Sequence, residues 1–171
     1  MNTPPRTRPV ANRNGSLNDE LKIVRRTLNN LKLPWALSGS MATKLHANSL
    51  GVPLHRFPND LDVVIRRDDV GIFLMALAGI GYTSNKSPPL RFDHIKLHHG
   101  KFSIDLLAAG SNLAPTILSK NVTLVNRTPV VKIRHLITQK NRVLANNFLS
   151  KLNKNIASGN KRFLENLEKR I

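Results

Sequence analysis

The stretch Trp35-Ala-Leu-Ser38-Gly39-Ser40-Met41-Ala42, with its continuation Pro58-Asn-Asp60-Leu-Asp62-Val-Val-Ile65, decides the fold of this chain. Trp35 to Ser38 is a short apolar run, read as a strand. Gly39 turns it into a helix over Met41–Leu50, which Gly51 ends. A loop over 51–59 leads to a second strand, Leu61–Arg66, headed by Asp60 and carrying Asp62. Successive strand residues point to opposite faces, so Asp60 and Asp62 share one. Two like charges that close are costly unless a cation or a proton sits between them. Mg²⁺ takes oxygen ligands, commonly a couple of carboxylates with substrate phosphates. The pair reads as a metal site.

Upstream, residues 1–15 carry Pro4, Pro5, Pro9, Arg6, Arg8 and Arg13 with little apolar content, which predicts a flexible basic arm. Ser16 reads as a helix N-cap with Asp19 and Glu20 in the first turn. Leu17, Leu21, Val24, Leu28 and Leu31 recur at helical spacing behind it. Lys22, Arg25, Arg26 and Lys32 lie mostly off that stripe and read as a solvated face.

Downstream, Asp68 and Asp69 read as first-turn acids of a helix that reaches about Leu77 and stops at Gly79-Ile-Gly81. Residues 83–89 form a polar loop. Phe92–His98 is a strand, Gly100 a turn, and Lys101–Leu107 its hairpin partner. Asp105 lies between Ile104 and Leu106, where a carboxylate needs a partner and can stand beside the first two. Asp93 competes with it, but begins its strand, where an acid needs no explanation. Residues 113–118 suggest a short helix, and Val122–Val125 and Val130-Val131 short extended pieces. Ile133 to about Leu152 reads as one helix, broken off by Ser158-Gly159-Asn160 before a last short helix over Arg162–Ile171. The sum is an α+β chain: a basic arm (1–15), a core (16–131) and a C-terminal helical segment (132–171) packed on it.

The chain has 171 residues, enough for one domain with a real core. It holds no cysteine, which excludes disulfides and Cys-type zinc sites and suits a reducing compartment. No apolar run approaches the roughly 18 residues of a membrane span. No secretory h-region follows the basic N-terminus, so a cytoplasmic location is expected, with specialised secretion of an effector outside this test. Lys and Arg number 27 against 10 acids, a net charge of +17. Such a field attracts polyanions, nucleic acid first among them.

Gly39-Ser40 after a strand, Asp60-x-Asp62 opening a second strand, and a later strand acid at Asp105 together resemble the DNA polymerase β-like nucleotidyltransferases. The pattern is most similar to the minimal AbiEii-type members, toxin halves of toxin–antitoxin systems, which also tend to carry an Arg before the first acid, as Arg56 stands here. The resemblance spans about residues 20–150 and implies a small mixed sheet flanked by helices. It also implies Mg²⁺ (or Mn²⁺) held by Asp60, Asp62 and Asp105, with Asp105 helping to activate an attacking hydroxyl. Ser38, Gly39, Ser40, Arg56 and Lys140 are the expected nucleotide-binding residues, with Lys132 and Arg142 as alternatives to Lys140. A nucleoside monophosphate would pass from a nucleoside triphosphate to a hydroxyl. The net charge favours RNA, tRNA above all, as acceptor; protein side chains and small molecules follow. A toxin role would add an antitoxin or host partner, and a non-catalytic nucleic-acid-binding protein is the reading from another class.

Three departures from the resembled pattern stand out. Pro58 replaces the usual Ser or Thr before the first acid, no Lys-Asp pair follows Lys140, and little chain remains for an acceptor-holding helical domain. The six histidines show no zinc-like spacing and read as non-ligands. Phe57, Phe92 and Phe102 could stack on a base, though core packing suits at least two of them; Trp35 and Tyr82 read as core.

Overall fold

The computed structural model describes residues 15–54, 57–84, 93–110, 121–145 and 150–171. Helix α1 (Leu17–Asn30) starts where Ser16 and Asp19 form a reciprocal capping box, so two orphan amides at the helix end are satisfied. Its apolar stripe buries Leu21, Val24 and Leu28. Arg25 does not point into solvent as its spacing predicts. Its guanidinium donates to the Asn126 carbonyl (3.0 Å) and to the Thr128 hydroxyl (3.3 Å), tying α1 to a distant hairpin.

Strand β1 (Trp35–Leu37) passes through Ser38 into helix α2 (Gly39–Ser49). Strand β2 (Leu61–Ile65) returns antiparallel to β1, pairing Leu37 with Val63 and Trp35 with Ile65. A 3-10 turn over Arg67–Asp69 leads into helix α3 (Val70–Ala78). Asp69 is the residue preceding α3, as expected, but it makes no side-chain cap. It pairs instead with Arg66 at 3.1 Å.

Strands β3 (His94–His99) and β4 (Phe102–Ala108) form the expected hairpin around Gly100, whose φ of +58° suits glycine. β4 lies parallel to β2 along five residue pairs, from Leu61 opposite Ile104 to Ile65 opposite Ala108. Strands β5 (Val122–Val125) and β6 (Thr128–Val131) form a second hairpin. Its two-residue turn, Asn126-Arg127, has both residues at positive φ, the twist that two-residue hairpins favour. β6 lies parallel to β1, giving the order β3-β4-β2-β1-β6-β5. The molecule is α+β, a six-stranded mixed sheet flanked by helices.

Two expectations about the C-terminal helices need correction. Helix α4 (Ile133–Ala145) and helix α5 (Lys151–Glu168) are separate elements with Ser150 outside both, so no single helix runs to Leu152, and α5 is unbroken at Ser158-Gly159-Asn160. Gly159 costs a helix about 1 kcal/mol against alanine. Burial of Ala157, Leu164 and Leu167 on either side offsets that cost. α4 and α5 pack against each other and both touch α2. The expected arm, the segment 113–118, Arg56 and Phe92 lie outside the described residues. Among the described residues no helix is long and apolar enough to cross a membrane.

The far face of the β2–β4–β3 half is sealed by Leu61, Val63, Ile65, Ile104, Leu106, Ile95 and Leu97, all buried. Trp35 and Tyr82 belong to this core, as expected. Within it sits a carboxylate that its first-turn position made look like an ordinary helix acid. Glu20 is buried, accepts the Tyr82 hydroxyl at 2.8 Å, and lies 3.6 Å from Nδ1 of His99. On the other side of the sheet, buried His46 of α2 reaches the Val131 carbonyl of β6 at 2.9 Å. Burial lowers its imidazole below the ordinary range, against the pull of that bond, and because a carbonyl oxygen only accepts, Nε2 is the donor.

Candidate active site

Parallel pairing of β2 and β4 puts Asp62 directly opposite Asp105. Neighbouring strands stand about 4.8 Å apart, so two side chains on one face at one register position meet. Asp60 precedes β2 on the same face as Asp62. The three carboxylates crowd each other. Burial, then the charges of Asp60 and Asp105, push the Asp62 carboxyl up to about 6 from 3.8, against the opposing pull of Lys140 and His94.

The turn at the end of β1 closes over Asp62. The Ser38 amide donates to the Asp62 carbonyl at 2.8 Å. Gly39 has φ +59°, and a Cβ there would lie 1.8 Å from Oδ2 of Asp62. Any other residue at position 39 would thus displace the carboxylate. The absence of a side chain is what lets this turn and the acid occupy the same corner.

Ser38 is buried and precedes α2, but its hydroxyl does not cap the helix. It donates to Oε1 of Gln139 on α4 at 3.0 Å. The first amides of α2, at Gly39 and Ser40, have no intrahelical acceptor and carry the positive end of the helix dipole. Lys140, next to Gln139 on α4, brings the cationic charge felt by Asp62.

Of the residues the sequence singled out, Ser38, Gly39, Ser40, Asp60, Asp62, Asp105 and Lys140 therefore gather around one corner of the sheet, while Arg56 lies outside the described residues. Asp93, the competing acid, is engaged elsewhere, in an ion pair with Arg67. Phe102 is buried, whereas Phe57 is exposed in the loop before Asp60 with the Lys44 ammonium 5.8 Å from its ring centre. Three neighbours escaped the sequence reading. Gln139 had no signal. His94 and Lys96 could have been found by alternation once β3 was paired with β4, since Lys96 stands opposite Asp105 and His94 two residues along on the same face. Nε2 of His94 donates to Oδ1 of Asp105 at 2.5 Å, and Nζ of Lys96 lies 3.4 Å from Oδ2.

The donor set suits a hard divalent cation: carboxylate oxygens of Asp60, Asp62 and Asp105, with the repulsion that raises Asp62 relieved by positive charge. Among the described residues, no three ligating side chains converge on one point as they stand. Asp105 is turned toward His94 and Lys96.

No protein-family model and no curated protein matches the sequence. Solved structures do. The lincosamide antibiotic adenylyltransferase LnuA, bound to lincomycin, superposes with TM-score 0.59 at 13% identity, over 87% of this chain and 96% of that one. ANT(2″)-Ia in complex with adenylyl-2″-tobramycin gives 0.57 at 13%, over 91% and 99%. TM1012 from Thermotoga maritima, assigned as a nucleotidyltransferase, gives 0.53 at 16%, over 88% and 92%. The fold is that of the nucleotidyltransferases. Coverage of nearly the whole of each neighbour means that the likeness extends past the β1–α2–β2 unit to the C-terminal helices.

Proposed function

We propose that this chain is an enzyme that moves a nucleoside monophosphate from a nucleoside triphosphate to a hydroxyl acceptor. The observation that carries the reading is the corner where Asp62, in register with Asp105, fills the space left by the missing Cβ of Gly39. Acids and a phosphate-ready turn are there built against each other, which a merely structural pair of aspartates would not need. A binding protein on this fold would have no use for carboxylates that repel the polyanion it binds.

The reaction forms a bond between the acceptor oxygen and the α-phosphorus and breaks the bond from that phosphorus to the bridging oxygen, releasing pyrophosphate. Most of such catalysis is positioning and charge neutralisation. The amides of Gly39 and Ser40 and the Ser40 hydroxyl hold the triphosphate at the N-terminus of α2. Ser38 fixes that turn through Gln139. Lys140 neutralises phosphate charge. Asp105 accepts the hydrogen bond of the attacking hydroxyl and carries its proton away. Asp60, Asp62 and Asp105 would hold Mg²⁺, which when bound supplies the charge that stabilises the entering and leaving oxygens.

For the acceptor, the net charge of +17 supports RNA, with tRNA as the natural candidate. A small hydroxylated molecule is the second reading, favoured by the antibiotic adenylyltransferases among the structural neighbours. A toxin role with an antitoxin partner belongs to the AbiEii-like resemblance and leaves the chemistry unchanged. The test is incubation with each of four α-labelled nucleoside triphosphates and Mg²⁺, in parallel with total RNA, cell protein or aminoglycoside and lincosamide antibiotics. Label in RNA supports the first reading and label in the antibiotics the second. Label in no pool, under conditions where the protein is folded, contradicts both.

A further inference from the structure

We infer that Lys96, assisted by His94, is a resident counter-ion of Asp105 that a divalent metal ion must displace, so that edge strand β3 sets the metal affinity of the site. The inference rests on the proposed nucleotidyl transfer for the identity of the carboxylate site, and adds to it a positioning role for two residues outside the acid set.

The register makes the contact. β3 runs antiparallel to β4 with Lys96 opposite Asp105 and His94 opposite Leu107, all on the face that carries Asp62. Asp105 is nearly buried, its side chain 11% exposed, and a buried carboxylate needs a partner. Both of its oxygens have one: His94 at Oδ1, 2.5 Å, and Lys96 at Oδ2, 3.4 Å. Those partners differ from Asp105 in exposure. The His94 side chain is 41% exposed and that of Lys96 46%. A half-exposed lysine on a four-carbon stem can leave its carboxylate for solvent at little cost, because water replaces the lost contact.

A cation bound at Asp105 would need such a departure. Asp105 turns toward β3, and no three ligating side chains converge among the described residues. A cation at Asp62 and Asp105 would stand beside the Lys96 ammonium, where like charges repel at short range. Lys96 therefore competes with the metal for Oδ2.

A Mn²⁺ titration of the metal-free protein, followed by the electron paramagnetic resonance of the free ion, tests this without any turnover. Lys96→Gln should bind Mn²⁺ about two- to five-fold more tightly, the range expected for losing one half-exposed ion pair. Lys96→Arg, which keeps the charge, should stay near the wild-type affinity. In an Asp105→Asn background the Lys96→Gln change should have no effect on Mn²⁺ affinity, because the competed oxygen is gone. Unchanged or weaker Mn²⁺ binding by Lys96→Gln, or an equal gain in the Asp105→Asn background, overturns the inference and leaves the proposed transfer standing. Failure of the wild type to bind Mn²⁺ at all overturns both. Loss of label transfer with Mn²⁺ binding and its Lys96 dependence intact counts against the transfer reading alone.

Discussion

Gly39 and Asp62 share one small volume: a Cβ on the glycine would lie 1.8 Å from the carboxylate Oδ2 and 2.7 Å from its Cγ. The turn that presents α2 and the central acid of the carboxylate cluster are therefore one unit. Gly39→Ala should lower stability by more than about 2 kcal/mol, from the left-handed φ of +59° together with the overlap, and should abolish transfer. Thermal melting beside a transfer assay checks both effects. An alanine variant with wild-type turnover would show that the corner is not used.

Asp62 gives a pH signature. Its carboxyl is raised to about 6 in the folded protein, above the unfolded value, so the folded state holds that proton more tightly. Ionisation of Asp62 thus costs stability, and the cost grows as pH rises from about 4 through about 6. The rise from 3.8 to about 6 corresponds to about 3 kcal/mol at most. Asp62→Asn should remove this slope and stabilise the metal-free protein at pH 7 by up to that amount. His46 acts with the opposite sign, since its depressed folded value removes stability as pH falls below the ordinary imidazole range. The difference between wild type and Asp62→Asn in denaturant melts across pH 4 to 8 isolates the aspartate. Excess Mg²⁺ should raise the wild-type melting temperature and leave the variant unmoved.

Buried Glu20 and Tyr82 predict a purely structural variant. Tyr82→Phe deletes the hydroxyl that donates to Glu20 at 2.8 Å and leaves a buried carboxylate short of one donor. The expected cost is about 1–3 kcal/mol in urea unfolding, with transfer kinetics of the folded enzyme unchanged.

Lys140 separates binding from chemistry. Lys140→Met should raise KM for the triphosphate roughly ten-fold, a charge-assisted contact of about 1.5 kcal/mol, with a smaller effect on kcat. It should also raise the Asp62 carboxyl further, since Lys140 holds it down. If the acceptor is RNA, binding should weaken steeply between 50 and 200 mM salt, by roughly a thousand-fold or more for six or so neutralised phosphates. A flat salt response with transfer intact would point to a small acceptor.

The centre of the fold was legible because local signals and chemistry agree there. Gly39 between an apolar strand and a helix, and acids placed at strand alternation, are patterns of short range. The β3–β4 hairpin was readable from alternation around Gly100 for the same reason. What escaped was long-range. Nothing local says that β1 lies between β2 and β6, that Arg25 reaches the β5–β6 turn, or that Gln139 meets Ser38 across 101 residues. Ser158-Gly159-Asn160 carries the local composition of a helix stop, and only the packing of Ala157 and Leu164 takes α5 through it. Glu20 looked like a first-turn acid, and only the fold brings Tyr82 to it. Histidine spacing carries no sign of a histidine that serves a carboxylate, as His94 serves Asp105.

The most direct test of the proposed chemistry is the initial rate of pyrophosphate release from nucleoside triphosphate with Mg²⁺ and total RNA or the best small acceptor. It should be compared across wild type, Asp60→Asn, Asp62→Asn and Asp105→Asn, each verified as folded. Wild type should release pyrophosphate in a Mg²⁺-dependent way, and each variant should lose at least roughly a thousand-fold, the scale of removing a group that stabilises transition-state charge. Release that persists in Asp62→Asn, or that proceeds equally without divalent metal, would contradict the proposed chemistry.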